Sequence, residues 1–297
     1  MTPASIAAQA CFLRACELDV AVRKPGNVSL ASPGHGMQAA LFIAAAQAAA
    51  GPLFRPGAKV GERIEAAMAA SWAAVGCNAN LGILLLCAPV ASALERTSGP
   101  PTRPGLRGAI GSVLAELDVA DARAAYRAIA LAQPGGLGVA AAQDVHTLPS
   151  IGLRAAMALA ADRDLIARQY RDGFAELFDI ALPALPFVFS LGSPLGYAAA
   201  DAATAGAVQD VYLTLLGTFA DSHIVRKHGA AVAHNVMGAA QRFRADAAQA
   251  SALDTDRAYA AWDEELKARR INPGTSADLT VAALLIAGLT AQPAGAP

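Results

Sequence analysis

The sequence predicts an all-α protein, and three observations carry that prediction. Apolar residues recur with helical period in segment after segment, strand-like alternation is nearly absent, and short Gly/Pro-rich connectors separate the helical stretches. Together they describe one globular domain over residues 1–297, built of packed antiparallel helices, with a ligand site formed by Gly/Pro corners and helix N-termini. In chain order the first predicted helix, Ser5–Arg23, ends at the corner Lys24-Pro25-Gly26-Asn27-Val28-Ser29. Met37–Ala50 and Val60–Ala74 follow, then Leu81–Leu94, entered from Asn78-Ala79-Asn80. Ala120–Ala132 closes at Pro134-Gly135-Gly136-Leu137-Gly138, and a long helix, Leu153–Ile180, carries Asp162-Arg163-Asp164. The last four are Ala202–Phe219, Ser222–Ala240, Thr255–Ala268 and Ser276–Leu289, the final one entered from Asn272-Pro273-Gly274. Residues 96–108 (RTSGPPTRPGLRG) read as a surface loop, and 182–197, rich in Pro and Gly, as a hinge or flap.

Composition narrows the function classes. Hydrophobic residues make up 55% of the chain and charged ones 16%, with a mean hydropathy of +0.39. Even so, the most apolar stretch, Leu81–Leu94, is interrupted by Gly82, Pro89 and Ser92 and falls short of the ~20 residues that cross a bilayer. The N-terminal stretch lacks a basic n-region and is broken by Arg14, Glu17 and Asp19, so the sequence predicts a cytoplasmic protein with no membrane association. The 4 cysteines show no CxxC spacing and read as reduced thiols. With Lys+Arg at 23, Asp+Glu at 24 and aromatics at 5%, the chain lacks the basic excess and stacking residues of a nucleic-acid binder. The expected partner is a small molecule.

The polar residues concentrate in the connectors. Glycine beside a helix start lets backbone N–H groups approach a ligand, and the positive end of the helix favours anions, so these islands are candidate phosphate sites as well as helix punctuation. At the last island, Thr275 followed by Asp278 resembles a capping box; Asn272 and the paired hydroxyls Thr275-Ser276 exceed what capping needs and suit phosphate. In the long helix, Asp162, Gln169 and Glu176 fall along one stripe, and Asp164, Arg168 and Arg171 along another that reads as a salt-bridge ladder. A carboxylate of the first stripe suits Mg²⁺ beside phosphates, or positive charge developing on a sugar. His223, Arg226, Lys227 and His228 follow the capping residues Asp221-Ser222; cations early in a helix oppose its dipole, a conflict an anion would resolve. Lys24 and His35 add two groups on tight corners. The GxGxxA string at Gly136 is rejected as a dinucleotide fingerprint because it follows a helix, not a strand.

Taken in order, the islands Lys24–Ser29, Asn78–Gly82, Pro134–Gly138, Ala161–Tyr170, Asp221–Gly229 and Asn272–Leu279 resemble the triphosphoribosyl-dephospho-CoA synthase family. Each motif is weak alone; the ordered set, spanning nearly the whole chain, is specific. The resemblance implies an all-α enzyme in which a ribose hydroxyl of 3′-dephospho-CoA attacks the anomeric carbon of ATP and adenine leaves, with Mg²⁺ accompanying ATP. It implies catalytic roles for Asp162, Asp164 and His35, and metal contacts from Asp162, Asp164 and Asp278. ATP or its partner substrate would be held by Lys24, Asn27, Asn78, Asn80, Gly136, Gly138, Arg163, Gln169, His223, Arg226, Lys227, Asn272, Thr275 and Ser276. The general base is left open among His35, Asp144 and an aspartate of the central helix.

Two departures bear on these roles. Gly36-Met37-Gln38 follows His35 where the citrate-lyase branch carries an aspartate, and Asn78-Ala79-Asn80 replaces Asn-Thr-Asn, implying one metal ligand and one polar contact fewer. The chain is also similar to relatives linked with methanopterin and methanofuran pathways. An ATP-dependent enzyme of another class, such as a kinase, and a non-catalytic nucleotide-binding protein therefore remain as alternatives. Alanine-rich helices permit a homodimer.

Overall fold

In the computed structural model, which describes residues 3–140, 142–186, 191, 198, 200–247 and 253–291, every regular element is helical. The helices are α1 (Pro3–Ala21), α2 (Ala39–Leu53), α3 (Val60–Val75), α4 (Leu81–Leu94), α5 (Arg103–Ala115), α6 (Val119–Ala132), α7 (Leu153–Ala158), α8 (Leu165–Asp172), α9 (Ala202–Thr218), α10 (Ser222–His228), α11 (Ala230–Ala247), α12 (Arg257–Ala268) and α13 (Gly274–Thr290). A π-helical turn (Leu177–Ala181) and short 3₁₀ turns at Leu182–Ala184 and Leu253–Thr255 complete the set.

α4 and α13 explain the high hydropathy. Both are apolar around nearly their whole circumference, and almost every side chain from Leu81 to Ala93 and from Thr275 to Ala287 is buried, as expected of helices wrapped by other helices. α13 packs against α1, α4, α9 and α10. No described helix is long and apolar enough to cross a membrane. The main apolar core and a smaller one containing Tyr212, Tyr259 and Trp262 are joined by α9 and α13, which supply residues to both.

Four local expectations change. The long helix Leu153–Ile180 is broken, because Asp164 caps a new helix through the Ile166 and Ala167 N–H groups and Gly173 ends it with φ 67°. The stripe of Asp162, Gln169 and Glu176 therefore never forms as one face. The predicted helix Ser222–Ala240 divides at Gly229, with φ 85°, so Arg226, Lys227 and His228 lie in the last turn of α10, where cations complement the helix dipole. Within 96–108, Arg103 onward is α5: Thr102 Oγ1 accepts from Gly105 N–H and Pro104 sits in the first turn, a favoured place for proline. α13 begins at Gly274, leaving Thr275 and Ser276 inside its first turn, and no capping box forms with Asp278. The predicted hinge at 182–197 lies mostly outside the described residues.

The close approach of α3 and α6 depends on Gly61. Its N–H donates to Asp121 Oδ1 at 2.8 Å, and a Cβ there would stand 2.5 Å from the Asp121 Cα. Gly61→Ala is expected to cost ~1–3 kcal/mol through overpacking and to lower the melting temperature by several degrees. Gly111→Ala, on α5 with open space around it, is expected to raise stability by up to about 1 kcal/mol. Thermal denaturation followed by circular dichroism measures both signs.

Candidate active site

Asp221 organises the site. This buried N-cap residue of α10 accepts from His223 and Ile224 N–H through Oδ1, and from Ser276 N–H and Oγ–H through Oδ2. The next residue, Ser222, accepts at Oγ from Leu165 N–H, the first residue of α8. Two adjacent side chains thus gather the starts of α8, α10 and α13. The start of α4 joins them, since Gly82 packs directly on the Asp278 carboxylate of α13, where a Cβ would overlap Oδ2.

A second buried carboxylate sets the opposite side. Asp263 on α12 accepts from Gly26 N–H, Arg23 and Lys267, each at 2.9 Å. Gly26, with φ 83°, presses against α12 and the turn after it, where a Cβ would be 2.8 Å from the Ile271 carbonyl oxygen. This pairing of corners lets Asn27 Nδ2 donate to Asn272 Oδ1 at 2.9 Å and holds His35, whose Nε2–H donates to the Gly26 carbonyl at 2.8 Å.

Between these supports opens a cleft of about 1200 Å³. Its floor carries Asp19 and Asp278; Asn78, Asn80 and Gly82 line it at α4, Arg226 and Lys227 at α10, and Gly136 and Gly138 on the loop after α6. Apolar side chains, including Tyr126, Ile129 and Met157, line a further part. Asp19 is paired with Lys24 at 3.0 Å, and the Asp278 carboxylate receives no hydrogen bond from a described residue. Burial, then the charges of Asp19, Asp221 and Asp164, hold the Asp278 carboxyl well above the usual range. On the cationic side, Arg226 donates to the Gly135 carbonyl and lies 3.5 Å from Asp164 Oδ2, while Lys227 reaches past Gly135.

The cleft brings together most of the residues singled out in the sequence: Asn27, His35, Asn78, Asn80, Gly136, Gly138, Arg163, Asp164, His223, Arg226, Lys227, Asn272, Thr275 and Asp278. Four stand elsewhere. Lys24 is fully buried on Asp19, and Gln169 is buried and donates to Glu176. Ser276 is spent on Asp221. Asp162 is 95% exposed and paired with Arg171, because the turn before α8 points it outward. Asp164 uses Oδ1 as a helix cap and Oδ2 on Arg226, so the three aspartates expected at Mg²⁺ do not share a site. Among the described residues no three carboxylate, histidine or cysteine side chains gather as a metal-binding set. Asp144, a candidate base, accepts backbone N–H groups at both oxygens. Sequence reasoning missed Asp19 and Lys267; Asp19's signal was an acid in the last turn of a helix, where it opposes the dipole.

The sequence matches the profile of the ATP:dephospho-CoA triphosphoribosyl transferases (CitG) over residues 5–295. The chain belongs to this family. CitG proteins are transferases acting on small nucleotides. A crystal structure from Archaeoglobus fulgidus, provisionally assigned as a triphosphoribosyl-dephospho-CoA synthase, shares the fold: TM-score 0.61 at 22% identity, covering 84% of this chain and 98% of that one. No curated protein matches.

Within this CitG cleft, His223 is held neutral. Burial first, then the charges of Lys227 and Arg226, push its pKa from 6.5 to about 3. The unfolded chain therefore takes up this proton before the folded one, so the His223 contribution to stability is intact above pH 6.5 and is lost progressively as pH falls toward about 3. His223→Gln, neutral at every pH, is expected to flatten the decline in melting temperature across that window; an unchanged slope would show that the imidazole titrates freely.

Proposed function

We propose that this protein transfers the triphosphoribosyl group of ATP to a ribose hydroxyl of dephospho-CoA and releases adenine. The observation that carries this reading is the cleft itself, whose 1200 Å³ exceeds the ~300–1,000 Å³ of a single-ligand pocket and whose cationic side faces an acidic floor. Two nucleotides need such a volume, and a glycosyl transfer from a triphosphate needs both signs of charge.

In this reading Arg226, Lys227 and Arg163 take the triphosphate, which brings Mg²⁺ with it as the substrate complex. Asp164 acts by holding Arg226 in place. The anomeric carbon lies over Asp19 and Asp278: the Asp19 carboxylate opposes the positive charge that develops as the C1′–N9 bond breaks, while Asp278, whose carboxyl burial holds toward its neutral form, presents its oxygens to the sugar. The acceptor oxygen forms the new bond to C1′ and gives up its proton, and adenine leaves with the electron pair of the broken bond and takes a proton. His35 is the base: its Nε2–H is committed to Gly26, leaving Nδ1 as the acceptor, and burial lowers its pKa, so it is unprotonated at neutral pH. Its φ of 54°, outside the usual range for a side-chain-bearing residue, is backbone strain of the kind that accumulates at active sites. The apolar part of the cleft receives the pantetheine arm of the acceptor.

Incubation with MgATP and dephospho-CoA, followed by mass spectrometry, is expected to yield free adenine and the triphosphoribosylated adduct. ADP with no adenine would replace this reading with a kinase, and unchanged ATP would leave a binding protein.

Variants apportion the roles. His35→Gln is expected to lower kcat by roughly 10²- to 10⁴-fold, and Arg226→Ala with Lys227→Ala to raise KM for MgATP. Asp162→Asn is expected to behave as wild type. Steady-state kinetics separates the three outcomes, and a strongly impaired Asp162→Asn would contradict the assignment.

A further inference from the structure

Beside the start of α4 lies a polar arrangement that the helix itself does not need. Asn80, only 3% exposed, makes no side-chain cap for α4. Its Oδ1 instead accepts from Ser71 Oγ–H at 2.8 Å, and its Nδ2, buried within the wall of the cleft, has no partner. Ser71 comes from α3, is fully buried and does not line the cleft. By occupying Oδ1 it fixes the amide with the donor end free. An unpaired buried donor is destabilising, and a ligand acceptor would offset that cost.

Two residues further on, Gly82 packs against the Asp278 carboxylate, an acceptor that no described residue satisfies. An unpaired amide donor and an unpaired carboxyl thus flank the start of α4 in the wall of one cleft. A phosphate does not suit this corner, because the carboxylates of Asp19 and Asp278 share the floor. A hydroxyl does, since it accepts and donates at once. We infer that this corner is the sugar subsite: a ribose hydroxyl of the nucleoside triphosphate accepts from Asn80 Nδ2 and donates to Asp278, and Ser71 is a positioning residue that fixes the polarity of Asn80. The inference rests on the nucleotide reading of the same cleft and adds which group of the nucleotide the start of α4 holds and why Ser71, outside the cleft, matters.

Calorimetric binding of MgATP, its 2′-deoxy and 3′-deoxy analogues and MgITP to the full-length protein tests this without requiring turnover. Wild type is expected to bind one deoxy analogue roughly tenfold or more weaker than ATP. Asn80→Ala should weaken ATP by a similar factor and no longer distinguish ATP from that analogue. Ser71→Ala should reproduce this loss in part at a temperature where circular dichroism shows the variant folded, and Ser71→Thr, which keeps the hydroxyl, should restore the discrimination. Equal losses for ATP and both deoxy analogues in Asn80→Ala would overturn the subsite. A loss of discrimination between ATP and ITP instead would place the base at this corner and also overturn it. Intact deoxy discrimination without adenine release would sink the transferase reading and leave the sugar subsite standing, whereas absence of ATP binding by wild type would sink both.

Discussion

The buried carboxylate of Asp221 is the interaction on which the site depends. It satisfies four donors from two helix starts, and burial still raises its pKa, so desolvation outweighs the hydrogen bonds around it. Its four donors are satisfied together in one geometry, so the carboxylate fixes how the starts of α10 and α13 stand to each other. With Ser222 holding α8, the pair fixes where Asp164, His223, Thr275 and Asp278 stand relative to one another. Asp263 does the same for the Gly26 corner and α12. The two carboxylates, 42 residues apart in the chain, support the two sides of the cleft.

Much of this was legible in the sequence, for a physical reason. A helix start in a Gly/Pro island is a local event, so Asn78–Gly82, Asp221–Gly229 and Asn272–Asp278 announced the corners that meet in the cleft. The apolar stretch Leu81–Leu94 is equally plain, since only a buried helix tolerates apolar residues around its whole circumference.

What the sequence hid were the consequences of tertiary pairing. Lys24 looks like a free cation on a tight corner, yet it is buried, its ammonium on the Asp19 side chain and on the Asp19 carbonyl. Asp162 and Asp164 are two residues apart and the resemblance implies the same catalytic and metal roles for both; a helix break between Ala158 and Leu165 sends one to solvent and makes the other a cap. The cations of α10 stand out in the sequence as a conflict with the dipole of a long helix, but the helix ends at Gly229 and leaves them at its C-terminal end. Ser71 gave no signal at all, a lone hydroxyl in an alanine-rich helix whose meaning appears only when α3 meets the start of α4.

The distribution of charge follows from how the helix starts are used. Converging N-termini would make a strongly anion-attracting floor, but here Asp164 and Asp221 cap those of α8 and α10, and Asp278 lies beside that of α4. The dipoles are answered by the protein's own carboxylates where the helices meet. In the proposed reaction anion capture passes to the side chains of Arg226, Lys227 and Arg163, while the other side of the cleft keeps the unpaired carboxyl of Asp278, pushed toward its neutral form by burial, and a spare donor at Asn80. A nucleoside triphosphate entering this field is oriented by it. In the proposed transfer its phosphates are drawn to the cationic side and its sugar is left over Asp19 and Asp278, which would set the carbon that becomes positive beside the Asp19 carboxylate.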